Sequence, residues 1–248
     1  MSNQFESLNY DDFRRMALDK GLSSNEKIGF PENYRQGYGE AIYRDILNKL
    51  PNLNKKNCSV LDIGPGCSEL PQLMIQRSRK YNQKLILVDS KEMLSLLPDE
   101  DSLLQKISGF YPDCHQELID MGLKFDVILC YSVFHYIFVE ASFWRFIDVS
   151  IELLAEGGQM LIGDIPNISK RKRFFSSPNG IKFHQDFMKT NDIPSVDFRA
   201  IEFDKIDDAV ILGVIMRARS QGCDAYWLPQ PSDLPMYNRR EDILIIKP

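Results

Sequence analysis

From Ser59 onward the hydrophobic positions gather into short, almost unbroken runs, each followed by an amphipathic stretch. The runs are SVLDIG, KLILVDS, LLQKISG, KFDVILCYS and GQMLIGDI. Near-continuous apolar runs of this length fit parallel strands buried on both faces. Strand followed by helix, repeated, predicts an α/β fold with a doubly wound sheet. Ahead of these runs, Tyr10 to Lys20 and Gly39 to Leu50 read as helices. In the second, Ile42, Ile46 and Leu50 are spaced by four and give one apolar face. The segment IGFPENYRQGYG between them carries glycines and Pro31 and reads as a loop.

The periodicity is lost after Ile165. Residues 166–205 hold prolines, the basic run Lys170 to Arg173 (KRKR) and scattered aromatics, so they read as an insertion over an edge or mouth of the sheet. A helix is expected from Asp207 to about Ser220. Two β-like runs, AYWL and DILIIK, joined by the turn-rich LPQPSDLPMYNRRE, then predict a hairpin.

Composition narrows the partners. The 248 residues suit one α/β domain with elaborations, spanning 1–248. The most apolar stretch, Phe125 to Val139, is shorter than the ~20 residues a membrane span needs, and it contains Asp126, Ser132 and His135. No membrane partner is expected. The polar start, MSNQFESLNYDDFRRM, lacks the apolar segment of a secretion signal, so a cytoplasmic location is expected. Five cysteines without close pairs suggest reduced thiols, neither a disulfide framework nor a zinc site. With a net charge of −5 and only KRKR densely basic, a small-molecule partner is expected and a nucleic acid is not.

The central chemical signal is Val60-Leu61-Asp62-Ile63-Gly64-Pro65-Gly66-Cys67-Ser68-Glu69-Leu70-Pro71. A strand ends in a turn with glycines two apart, and a helix opens near Ser68, with Pro71 in its first turn. Glycines let backbone approach a ligand, and N–H groups at a helix start can face its polar atoms. A dinucleotide fingerprint needs glycine or alanine three residues beyond the second glycine. Glu69 stands there, which argues against NAD or FAD by bulk and by charge.

The spacing acidic-x-Gly-x-Gly-x-small, met by Asp62, Gly64, Gly66 and Ser68, resembles the first motif of class I S-adenosylmethionine-dependent methyltransferases. Ser68 departs from the usual third glycine. Further segments match the family in order: Asp89 ending LILVDS, then Ser108-Gly109-Phe110-Tyr111-Pro112-Asp113, then Cys130-Tyr131-Ser132-Val133-Phe134-His135-Tyr136, then Glu156-Gly157-Gly158 before the fifth run. The resemblance covers roughly residues 40–165, and the terminal hairpin as well. It implies a seven-stranded Rossmann-like sheet, mostly parallel, with an antiparallel C-terminal strand. It also implies division into an N-terminal helical lid (1–57), a cofactor-binding core (58–165), an acceptor-side insertion (166–205) and a helix with C-terminal hairpin (206–248). The loop IGFPENYR and LPQPSDLP resemble a narrower group associated with bacterial glycan or capsule modification, pointing toward polysaccharide biosynthesis.

The cofactor implied is S-adenosyl-L-methionine, held by Arg35, Asp62, Gly64, Pro65, Gly66, Ser68, Asp89, Ser90, Phe110, Tyr111, Tyr131 and Ser132. Asp89 would accept hydrogen bonds from the ribose hydroxyls, and Phe110 would stack on adenine, with Asp113 or a backbone group serving its amine. Arg35 matches the methionine carboxylate bidentately. Methyl transfer needs a base only if the acceptor is protonated, and histidine suits neutral pH. His135 fits a general base or acceptor-positioning group, or else a ring packed among Phe134, Tyr136 and Ile137. His184 is a second candidate and Asp164 a group to orient a base or bind a hydroxyl. Cys130-Tyr131-Ser132 offers no carboxylate after the fourth run, so no metal is expected. The expected reaction is O- or N-methylation of a small polar acceptor, sugar-derived or phosphorylated. The alternatives are an NAD(P)-dependent oxidoreductase and a non-catalytic S-adenosylmethionine-binding module.

Overall fold

The computed structural model describes residues 8–248; of the expected lid, residues 1–7 lie outside the described residues. Seven strands form one sheet: β1 (Ser59–Ile63), β2 (Lys84–Asp89), β3 (Leu104–Ser108), β4 (Phe125–Tyr131), β5 (Leu154–Pro166), β6 (Asp224–Pro229) and β7 (Arg240–Ile246). Their order is β3-β2-β1-β4-β5-β7-β6. The pairings from β3 through β5 are parallel, and β7 runs antiparallel between β5 and β6. The expected hairpin is therefore real, and its second strand is the one that joins the sheet to β5.

Twelve helices are described: α1 (Tyr10–Leu18), α2 (Ser24–Lys27), α3 (Glu32–Arg35), α4 (Gly39–Lys49), α5 (Glu69–Tyr81), α6 (Lys91–Leu94), α7 (His115–Asp120), α8 (Phe134–Glu140), α9 (Phe143–Leu153), α10 (Ile168–Phe175), α11 (Pro178–Met188) and α12 (Asp208–Ser220). The side-chain period of two along each strand divides the interior. Leu61, Ile86 and Ile128 face α9 and α12 through Phe146, Ile147, Ile211 and Val214. Val60, Leu85, Leu87 and Val127 face α4 and α5 through Ile42, Ile46, Met74 and Ile75. Strands buried on both faces explain why their apolar runs show no alternation.

Two expectations change. The segment read as a loop contains the short helix α3, which delivers Arg35 to the sheet. Residues 166–205 lack visible periodicity yet begin with α10 and α11. Both helices are set by caps: the Asn167 side chain accepts from the Ser169 and Lys170 amides, and the Ser177 side chain from that of Gly180. Neither helix buries a broad apolar stripe, so the pattern had little to reveal.

Candidate active site

The turn after β1 is shaped by two glycines in the left-handed region, Gly64 and Gly66, each with φ of +67°. A Cβ on Gly64 would lie 2.6 Å from Val133 Cγ2, and one on Gly66 2.6 Å from Ile28 Cγ2. The turn is thus boxed between the loop after β4 and the N-terminal segment. The Gly66 amide donates to Asp89 Oδ2 at 3.1 Å and the Ser90 amide to Oδ1 at 2.7 Å, fixing the carboxylate at the end of β2. Burial raises the Asp89 pKa to about 6 in spite of those donors. Asp62 is buried with its Oδ2 unpartnered, and burial followed by the Asp89 charge pushes its pKa up to about 8.

A cleft opens over the C-terminal ends of β1, β2 and β4, where ligands bind in open α/β sheets. Ten of the twelve residues singled out for the cofactor line it; Asp62 and Ser90 do not. Ser90 instead caps α6, its Oγ accepting from the Met93 amide at 3.2 Å. Tyr111 reaches the cleft rim from the core, its hydroxyl bonded to Ser150 Oγ at 2.9 Å and its ring edge-on to Phe146. Asp113 lies away from the cleft, ion-paired with Arg145 at 3.0 Å. Ser68 stands at the N-cap of α5, and its hydroxyl makes no cap bond.

The cleft also has walls that lie outside the sequence motifs. Tyr10, Phe13, Ile28 and Phe30 cover it from the N-terminal side, and Tyr136 and Glu140 from α8. Tyr10 meets Phe110 edge-on, ring centroids 4.9 Å apart, and Phe13 meets Tyr136 at the same separation. The Tyr10 amide donates to Glu140 Oε2 at 3.0 Å, and Arg14 pairs with Glu92 on α6 at 2.8 Å. Helix α1 is therefore a strap across the cleft.

Arg35 does not stand free. Its Nη2 contacts Asp164 Oδ2 at 2.5 Å and the Ser132 hydroxyl, which also donates to Asp164. Its guanidinium stacks 4.1 Å over the Phe30 ring, and its Nε is buried without a partner. Ser132 and Asp164 both adopt positive φ, 63° and 58°, just beyond Tyr131 and Gly163, the last residues paired between β4 and β5. The Asp164 amide donates to Asp242 Oδ1 at 2.8 Å, and Lys49 bridges Asp242 and Asp45 at 2.6 Å each. Burial opposes ionisation of Asp164, but Arg240, Arg35 and the Ser132 hydroxyl outweigh it and hold its pKa below the ordinary carboxylate value. Asp164 is thus an anionic anchor for Arg35.

A second cavity adjoins the first, sharing Tyr136 and Glu140 as wall. His135 lines it together with Asn167, Arg171, Lys205, Arg239 and Arg240. The His135 Nδ1 is buried without a partner, and desolvation, then the Arg240 charge, lower its pKa to about 3. The ring is neutral at any physiological pH. His184 lines neither cavity; it sits on α11 edge-on to Phe175. Of the KRKR run, Lys170 pairs with Glu241, Lys172 with Glu202 and Arg173 with Asp208, and Arg171 alone reaches the second cavity. Among the described residues no group of three or more His, Cys, Asp and Glu is arranged to hold a metal ion. No described helix is long and apolar enough to cross a membrane.

No protein-family model matches the chain, and no curated protein matches it by sequence. Solved structures do. The chain is similar to an O-methyltransferase family protein from Burkholderia thailandensis, with 13% identity and a TM-score of 0.56, over 96% of this chain and 62% of that one. It therefore spans less than two thirds of that relative. It is similar over nearly the full length of both chains to the plantazolicin methyltransferase BpumL in complex with SAH, with 14% identity, a TM-score of 0.58 and 95% of each chain covered. The N-methyltransferase NodS from Bradyrhizobium japonicum, also in complex with S-adenosyl-l-homocysteine, matches at 11% identity and a TM-score of 0.55, covering 96% of this chain and 98% of that one. The fold is that of the class I S-adenosylmethionine-dependent methyltransferases, a seven-stranded α/β sheet with an antiparallel C-terminal hairpin.

Proposed function

We propose that the protein transfers a methyl group from S-adenosylmethionine to a small polar acceptor. The observation that carries this reading is the cleft over β1 and β2, floored by a turn whose two left-handed glycines admit no side chain, beside a carboxylate fixed by two backbone amides. The group fits the residues present. Asp89 keeps lone pairs for two ribose hydroxyls, Phe110 and Tyr10 offer ring faces and edges to adenine, and the unpartnered Arg35 Nε suits the methionine carboxylate. Bound there, the sulfonium supplies an electrophilic methyl group for in-line displacement by the acceptor.

The chain's own residues then position and exclude. Orientation alone can contribute ~7–11 kcal/mol to such a displacement. Helix α1 sheds water from the cleft by closing Tyr10 on Phe110 and Phe13 on Tyr136. His135 lines the adjoining cavity as a neutral imidazole, a ring suited to position an acceptor hydroxyl or amine. Asp164, tied to Arg35 and Ser132, acts as a positioning residue. Among the described residues, 8–57 serve as lid over the cofactor, 58–165 as the cofactor-binding core, and 166–205 as the acceptor side. A sugar-derived or phosphorylated metabolite suits the polar lining of that second cavity. The open cavity beside His135 also speaks for catalysis over a purely binding role. Glu69 at the first position of α5 speaks against a dinucleotide.

Isothermal titration tests the cofactor half. S-adenosylmethionine and S-adenosylhomocysteine are expected to bind one per chain, and NAD or NADP not to bind. Dinucleotide binding without binding of either sulfur compound would overturn the reading.

A further inference from the structure

We propose that the second cavity holds the acceptor by an anionic group, a carboxylate or a phosphate, gripped between Arg171 and Arg239. This inference rests on the methyl-transfer reading only for calling the ligand an acceptor; the anion site stands on its own geometry.

The two guanidiniums arrive from separate elements, Arg171 from α10 and Arg239 from the turn before β7, and both line the cavity. They are held on one ring: the Arg171 guanidinium lies 5.3 Å from the Phe175 centroid and that of Arg239 lies 5.9 Å from it, with Phe183 a further 6.0 Å contact for Arg239. Neither has a carboxylate within ion-pair reach among the described residues, nor does Lys205. Three carboxylates share the cavity: Glu202 pairs with Lys172, Glu140 accepts from the Tyr10 amide, and Asp204 makes no ion pair with Arg171, Arg239 or Lys205. Arg240, beside them, is spent on Asp164, its Nη1 donating to the backbone carbonyl.

Arg171, Arg239 and Arg240, gathered along one stretch of the wall, repel one another. Burial and the neighbouring Arg240 and Arg171 lower the Arg239 pKa to about 10, which is the cost of that assembly. An anion recovers it, because the guanidinium fork matches carboxylate and phosphate oxygens bidentately. The other end of such a ligand meets His135 and Tyr136, and Tyr136 is the wall shared with the cofactor cleft. The anion thus serves as a handle that points the remaining, methyl-accepting end of the molecule at the sulfonium side.

The test is titration of the full-length protein, saturated with S-adenosylhomocysteine, with inorganic phosphate and separately with acetate. One of the two is expected to bind at a single site, and which one tells phosphate from carboxylate. Arg239→Gln and Arg171→Gln should each weaken it by about tenfold or more, since a charge-assisted hydrogen bond is worth roughly 1.5–3 kcal/mol. Arg79→Gln, which removes a cation paired with Asp101 on α5, should leave binding unchanged. Arg171 is exposed, so its variant keeps the test sound even if Arg239→Gln lowers the melting temperature. Binding of neither anion, or binding undiminished from the wild type in both cavity variants, would overturn the proposal. Anion binding with no uptake of S-adenosylhomocysteine would instead overturn the methyl-transfer reading and leave the anion site in place.

Discussion

Arg35 and Asp164, 129 residues apart in sequence, meet as a buried ion pair with Nη2 2.5 Å from Oδ2. The pair nails the N-terminal segment to the ends of β4 and β5, at the wall of the cleft that Arg35 lines. Breaking one partner leaves the other charge buried, at a cost of roughly 3–5 kcal/mol. Asp164→Asn and Arg35→Met should each lose about that much stability in urea unfolding, and the double variant clearly less than the sum. Additive losses would show that the two side chains do not act as a pair.

Gly66 is where lid and turn touch. In Gly66→Ala the left-handed backbone costs ~1–2 kcal/mol, and the new methyl presses on Ile28. Affinity for S-adenosylhomocysteine should fall by about tenfold, with the steric part recovered in the Gly66→Ala, Ile28→Ala double variant. Calorimetry on the two variants decides it; no recovery would mean that Ile28 does not pack on the turn.

The strap formed by α1 has a kinetic signature. Tyr10→Ala and Phe13→Ala each remove one edge-to-face contact, worth ~0.5–1.5 kcal/mol, from the lid and not from the sheet. Stopped-flow displacement of S-adenosylhomocysteine should therefore speed up several-fold while thermal stability changes little. An unaltered dissociation rate would place α1 outside the exit path.

The buried groups set opposing pH trends. His135 has its pKa lowered to about 3, so between that value and its ordinary 6.5 the unfolded chain binds more protons and stability rises with pH. Asp62 has its pKa raised to about 8 from 3.8, so across that window the folded chain holds the extra proton and stability falls as pH rises. From pH 6.5 to 8 the Asp62 trend prevails, by up to about 1.4 kcal/mol per pH unit. Asp62→Asn should flatten the loss of stability over that interval in urea unfolding; the same slope in the variant would refute the assignment.

The sheet was legible because its signal is local: strands buried on both faces write continuous apolar runs, and a turn needing positive φ writes glycine at 64 and 66. The cleft was legible as far as strand ends carry it, through Asp89, Phe110 and Ser132. What escaped depends on partners distant in sequence. The Tyr111 hydroxyl, for example, is bonded to Ser150, 39 residues on. Tyr10 and Phe13 belong to a helix whose exposed polar face hides its role as a strap. In the basic run, density in sequence does not become free charge in space: three of its four cations are paired with carboxylates from elsewhere, and the companion of Arg171 is Arg239, 68 residues on by sequence number.

The most direct measurement is a crystal structure of the protein with S-adenosylhomocysteine. The account predicts the nucleoside in the cleft beneath α1, with its ribose hydroxyls on Asp89, adenine beside Phe110, and the sulfur facing the wall formed by Tyr136. Ligand bound elsewhere, or lying in this cleft with Asp89 out of hydrogen-bond reach, would contradict it.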